Sequence, residues 1–274
     1  MDAAHKATDK ILNNLTKELR NTYQHAYNEL KKTMTDVMSK MQLDPNMTAE
    51  QRYALARKYS RLEKLEKQLA TSLSKVNKEA VQMINNNMLN VYQINYDSAA
   101  SLFPKDVIPV LDRSAIRTVL TGQVDPFTKL ALDGLKDQAI LRQSLTRELL
   151  TGIMQGDSIP HLAKRIKAVT EKSFKDSVRI ARTETTRVEN SARNDVGAQG
   201  EKKGFRMLKE WVATDDESTR DEHREMNGVK VPQNEPFVVG DEEMMYPGDI
   251  SLGASGWNVI NCRCTIVNII EKKE

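Results

Sequence analysis

The chain has 274 residues, a formal charge of +3, and 39% hydrophobic against 29% charged residues, a polar balance for its length. No run approaches the ~18 apolar residues of a spanning helix, and residues 1–6 lack the apolar core of a secretory signal. Neither a membrane protein nor an exported one is expected. Aromatics at 5% and 12 glycines argue against a β-sandwich or barrel and leave a mainly α protein.

Between residues 11 and 41 the apolar positions Ile11, Leu15, Leu19, Tyr23, Ala26, Leu30, Met34, Val37 and Met41 recur in steps of three and four. That spacing is one stripe of a helix. Asp44-Pro45-Asn46 ends it, because proline lacks the amide donor and keeps its predecessor out of the helical region. Thr48, with Gln51 three residues on, predicts a capping box that restarts a helix. The second run, Leu62, Leu65, Leu69, Leu73, Val76, Ala80 and Met83, is close to a heptad seam and continues without Pro or Gly to about Tyr96. Neither helix has apolar surface for a core of its own. A long antiparallel hairpin buries one stripe against the other and makes residues 1–100 a helical arm.

Pro104 and Pro109 mark the junction to a helical body, residues 101–200, with helical patterns around 113–120, 126–155 and 158–170. Gly156-Asp157-Ser158-Ile159-Pro160 reads as a helix stop followed by an N-cap with proline in the first turn. A further helix from about Phe174 to Gly200 sets the small residues Val178, Ala181, Thr185, Val188, Ala192 and Val196 along one face. After Gly200 the pattern changes. Residues 204–213 read as a strand, 215–226 as a short charged helix, Asn227-Gly228 as a turn, and 257–267 as a closing strand. A small α+β module therefore occupies residues 201–274.

Charge is distributed unevenly over these parts. Residues 160–209 hold 13 Lys/Arg against 6 Asp/Glu, a net of +7, whereas residues 210–250 hold 3 against 12, a net of −9. Arg179, Arg182, Arg187 and Arg193 on the basic helix form either a ridge for nucleic-acid phosphate or the cationic halves of pairs such as Glu184–Arg187 and Glu189–Arg193. No Walker loop or Gly-x-Gly-x-x-Gly element occurs, so nucleotide binding has no support.

The sharpest local feature is Cys262-Arg263-Cys264, which contains both cysteines of the chain. On a strand, residues two apart face the same side, and a disulfide between such neighbours is strained. Two such thiolates can share a metal, and zinc takes four N, S or O ligands. His223 is the only histidine in the last hundred residues, with Asp215, Asp216 and Asp221 nearby in sequence. The other reading is a buried cluster, since cysteine often packs as a small hydrophobe. The residues leave both open. Asp216, Arg220 and His223 fall at i, i+4 and i+7 of the charged helix, on one face. A general base there lacks a nucleophile presented on an elbow, so no catalytic residue is assigned.

Taken in order, Ala181-Arg182-Thr183-Glu184, Trp211, Asp216, Arg220, His223, Gly228, Phe237, Pro247 and Cys262-Arg263-Cys264 resemble the phage Mu F-like, or phage head morphogenesis, family of minor head proteins over roughly residues 140–268. The resemblance implies a non-enzymatic minor capsid protein of a tailed bacteriophage. Such a protein is taken into the procapsid in the host cytoplasm and sits in the virion near the portal vertex, acting in head morphogenesis and in DNA packaging or ejection. It implies portal protein as partner, with major capsid or scaffolding protein and double-stranded DNA as further partners, and no membrane. In this reading Trp211, Asp216, Arg220, His223, Cys262 and Cys264 are a structural cluster without a cofactor, zinc at His223, Cys262 and Cys264 being the alternative. A DNA-binding accessory protein is the second reading, and a metal-dependent hydrolase a distant third.

Overall fold

A computed structural model describes residues 2–40, 44, 46–58, 60–111, 113–122, 133–135 and 137–271. Met41, Pro45 and the first part of the helix expected over 126–155 lie outside the described residues. The helices are α1 Ala3–Ser39, α2 Ala49–Lys58, α3 Ser60–Ala100, α4 Arg113–Gly122, α5 Gln138–Gln155 and α6 Ile159–Lys202. Strands β1 Met207–Val212, β2 Lys230–Pro232, β3 Phe237–Val239, β4 Glu242–Met244 and β5 Thr265–Ile270 follow, with the short helices α7 Asp221–Glu225 before β2 and α8 Gly256–Val259 before β5. The fold is mainly α with an α+β end.

Packing gathers the chain into two compact units: Met1–Leu15, Met83–Lys129 and Arg179–Glu274 in one, Thr16–Gln82 and Leu130–Val178 in the other. Helices α1, α3 and α6 each give a segment to both.

Among the described residues, the regular elements of the second unit are all helices. Leu19, Tyr23, Ala26, Leu30 and Met34 of α1 are buried, as are Leu62, Leu65, Leu69 and Leu73 of α3, so most of the predicted stripe positions in this unit form its core, with Val37 and Val76 half-buried. Tyr23 donates to Asn77 Oδ1 at 2.7 Å and lies 2.8 Å from Ser177 Oγ, which satisfies its hydroxyl among apolar neighbours. The capping box forms as read: Thr48 N–H donates to Gln51 Oε1 at 2.9 Å and Gln51 N–H to Thr48 Oγ1 at 3.2 Å. Asp137 caps α5 through Ala139 N–H, and Gly156 closes it in the left-handed conformation that glycine adopts without penalty. Where α5 turns into α6, Gly152 lets Leu162 approach so closely that a Cβ would sit 2.4 Å from its Cδ2.

In the first unit, Asn95 of α3 donates to Thr8 Oγ1 of α1 at 2.8 Å. In the other unit the two helices meet through Tyr23 and Asn77. The C-terminal module lies in the first unit. Its antiparallel sheet has the order β2-β1-β5, with Val212 opposite Thr265 and Met207 opposite Ile270. The hairpin β3–β4 stands as a second sheet. Strand β1 alternates buried and half-buried residues, and its inward Trp211 centres a core with Phe237, Val239, Met244, Val259 and Ile266. Lys209 shares that inward face. Its ammonium is buried 5.5 Å from the Phe237 ring centre, and burial pushes it down to about 8.

Three expected elements differ. The helices read at 158–170 and 174–200 are one helix, α6, because no glycine or proline interrupts 161–196 and the buried positions Ile166, Val169, Thr170, Ser173, Phe174 and Ser177 carry one face across the supposed gap. Residues 257–267 are not all strand. They begin in α8, pass through Asn261 at a φ of 60°, and extend only from Thr265. The helix expected over 215–226 starts at Asp221, because Asp216 folds its own stretch into a turn, accepting from Ser218 N–H at 2.9 Å and from Thr219 Oγ1 at 3.3 Å.

Candidate functional site

Helix α6 carries an uncharged polar row at Thr183, Thr186 and Asn190, continued by Arg193 in steps of three and four, and all four side chains are buried. The row reads the backbone of the C-terminal segment. Thr183 Oγ1 accepts from Asn261 N–H at 3.1 Å, and Thr186 donates to the Cys262 carbonyl. Asn190 donates to the Cys264 carbonyl at 3.0 Å and accepts from Ile266 N–H at 2.8 Å. Arg193 donates to the Ile266 carbonyl at 3.1 Å, and Asn268 Nδ2 returns a bond to the Arg193 carbonyl at 2.9 Å. Four helical residues advance ~6 Å and two extended residues ~6.6 Å, so a helix and a strand running the same way stay in step over these bonds.

From outside the helix, Arg220 donates to the Ile260 carbonyl at 2.7 Å and Thr214 to the Arg263 carbonyl at 2.7 Å. The carbonyls of residues 260, 262, 263 and 264 are therefore all held. The loop so fixed presents Cys262 and Cys264 to His223 of α7. Nδ1 of the ring is 3.5 Å from each sulfur, and all three residues are no more than 2% exposed. Nε2 lies 3.2 Å from Asn258 Oδ1, and Asn258 Nδ2 donates to Glu242 Oε2 at 2.7 Å. Trp211 packs edge-on against the imidazole with ring centres 5.4 Å apart. The hydrogen bond from Cys262 draws Cys264 down to about 5, while Cys262, bonded to Cys264 and fully buried, is pushed up.

The expected cluster thus comes together in part. Trp211, His223, Cys262 and Cys264 meet. Asp216 and Arg220 do not pair with each other, because Asp216 precedes the helix. Asp216 instead forms a two-pronged ion pair with Arg263, which with the Ser218 and Thr219 bonds lowers it to about 2. Arg220 stacks over the Trp257 ring at 5.4 Å while holding the Ile260 carbonyl.

The four arginines of the expected ridge are placed differently from one another. Arg187 is buried against Glu184 at 2.7 Å and has no surface to offer a phosphate. Arg193 is buried too, reaching Asp2 at 2.9 Å through Nη2, Asn95 Oδ1 at 2.8 Å and Glu189 at 3.3 Å. Arg179 is exposed and Arg182 half-buried. Glu189 also holds His5 Nδ1 at 2.7 Å and Thr265 Oγ1 at 2.9 Å. Burial opposes the charge on His5, but Glu189 and, more weakly, Asp9 outweigh it and raise the ring above its ordinary value.

A raised histidine contributes stability that is complete below its unfolded value of 6.5 and is lost as pH rises through the folded value. The melting temperature should therefore fall as pH increases above 6.5, and His5→Gln should flatten that slope. Melting curves of the two proteins across the interval check it, and parallel profiles would remove His5 from the account.

Residues 143–267 match the model of the family described as Phage Mu protein F like protein. The likeness to that family covers just under half of the chain. The matched segment runs from within α5 to within β5, and so contains the polar row, His223, both cysteines and their supports. Two relatives extend the comparison. The minor head protein GP7 of Bacillus phage SPP1 is 25% identical over 272 residues, covering 97% of this chain and 85% of that protein. The NAD(+)–arginine ADP-ribosyltransferase EFV of Enterococcus faecalis is 30% identical over 131 residues, 48% of this chain, and the match spans only 26% of that protein. No solved structure matches the chain.

Proposed function

We propose that the protein is a minor head protein of a tailed bacteriophage, taken up during head assembly in the host cytoplasm and held in the virion near the portal vertex through the portal protein. The observation that carries this reading is the similarity to the SPP1 minor head protein over 97% of the chain. It extends well beyond residues 143–267 and takes in the N-terminal helices, so the likeness is not confined to a shared module. The transferase activity named for the enterococcal relative is not carried over, because the match reaches 26% of that protein. Direct contact with packaged DNA is left out of the proposal, since Arg187 and Arg193 are interior ion-pair partners.

Co-expression of the full chain with the portal and major capsid proteins of the same phage tests it. The expected result is co-purification with portal and recovery in isolated heads. Heads that incorporate portal and exclude this chain would overturn the proposal.

A further inference from the structure

We propose that His223, Cys262 and Cys264 form a zinc site, a property independent of the role in the phage head. The ligand atoms converge: Nδ1 is 3.5 Å from both sulfurs, and the three atoms lie within 4.8 Å of one another. A tetrahedral ion with ~2.0–2.1 Å bonds to nitrogen and ~2.3 Å bonds to sulfur sets those atoms about 3.5–3.6 Å apart. Two sulfurs and an imidazole are a soft donor set of the kind that retains zinc in preference to magnesium or calcium.

The surroundings fix the state that a ligand needs. The Glu242 carboxylate can only accept, so the Asn258 amide nitrogen faces it and Asn258 Oδ1 faces His223. That oxygen in turn requires Nε2 to carry the ring proton, which leaves the Nδ1 lone pair directed at the two sulfurs. Cys264 N–H points at Cys262 Sγ at 3.5 Å, a backbone donor that would support that sulfur once an ion displaces its proton. The loop is held on its other side by Thr186, Asn190, Thr214 and Arg220 through its carbonyls, so the sulfurs are placed before any ion arrives. Among the described residues no fourth His, Cys, Asp or Glu joins the three, so the chain supplies three of the ligands.

The test uses the full chain, purified without chelator from zinc-replete medium. The expected result is about one zinc per chain by elemental analysis, with a melting temperature that drops on chelation and recovers on adding zinc. Cobalt added to the stripped protein should give thiolate-to-metal charge-transfer absorption and the intense visible bands of a tetrahedral ion. Cys264→Ser and His223→Gln should abolish that spectrum. Asn258→Ala keeps all three ligands and should weaken zinc ~10–100-fold, which preserves a readout if the ligand variants do not fold. A folded parent free of metal and without the cobalt–thiolate band overturns the proposal. So does stoichiometric copper or iron in place of zinc, or a cobalt spectrum unchanged in His223→Gln.

Discussion

Arg193→Ala is expected to destabilise the protein by about 3–5 kcal/mol, the range found when one partner is removed from a buried ion pair. The size follows from what the guanidinium leaves behind. Glu189 is buried with it, Asn95 Oδ1 accepts from two of its nitrogens, and the Ile266 carbonyl of β5 receives a third bond. None of these groups is exposed enough for water to take over the lost donor without rearrangement. Asp2 provides the internal comparison, because its side chain is 38% exposed and can be rehydrated. Asp2→Asn should therefore cost far less than Arg193→Ala. Arg193→Lys should fall between them, since one ammonium cannot span acceptors set out for a planar fork. Chemical unfolding of the three variants under one buffer measures the order. Equal losses for Asp2→Asn and Arg193→Ala would show that the buried half of the network contributes little.

Leu69→Asp is the second large effect, and it acts in the other unit. Leu69 is fully buried on the α3 stripe, and removing its side chain from the interior forfeits ~1.5–3 kcal/mol of burial before any charge is considered. The carboxylate that replaces it has no partner designed for it, so its protonated form is favoured in the folded state and its pKa is raised. The sign then follows: the cost of ionising it in place grows as pH rises through ~4, the ordinary value of an aspartate. Leu69→Asn, which cannot ionise, should lack that pH dependence while still losing the burial. Loss of helical signal and a lower melting point at neutral pH, partly recovered in acid, are the expected results. The full chain is required, because the unit holding Leu69 includes Leu130–Val178 as well as Thr16–Gln82. An unchanged melting point would remove the buried stripe as the basis of the hairpin.

Features read directly from the sequence were those in which near neighbours along the chain suffice. The Leu62–Leu73 stripe, the Thr48–Gln51 box and the Gly156 stop each depend on residues within a turn or two, and each is present. The strand expected over 257–267 misread Trp257 and Val259, whose β propensity gave way to a one-turn helix beside the Glu242 carboxylate. The helical face read for Asp216 gave way to a local turn at Ser218 and Thr219, and its pairing with Arg263, 47 residues away in sequence, was beyond reach. The four arginines of α6 looked alike because composition carries no burial. Glu184 and Glu189, three and four residues from two of them, were the signal that separates interior pairs from a ridge. The uncharged row Thr183, Thr186 and Asn190 was also visible at helical spacing. Its meaning was not, because its partners are main-chain groups that leave no trace in a sequence.

That last point has a consequence for how the segment can change. Hydrogen bonds to carbonyls and amides are indifferent to which side chain the recipient residue bears. Outside the two sulfurs, residues 260–268 can therefore exchange one apolar residue for another of similar volume while Thr183, Thr186, Asn190, Arg193, Thr214 and Arg220 continue to find the same main-chain partners. Gaining or losing a single residue there is different in kind. It would slide every downstream carbonyl past its donor on α6 and turn the inward face of β5 outward at once. The segment is tolerant in spelling and rigid in length.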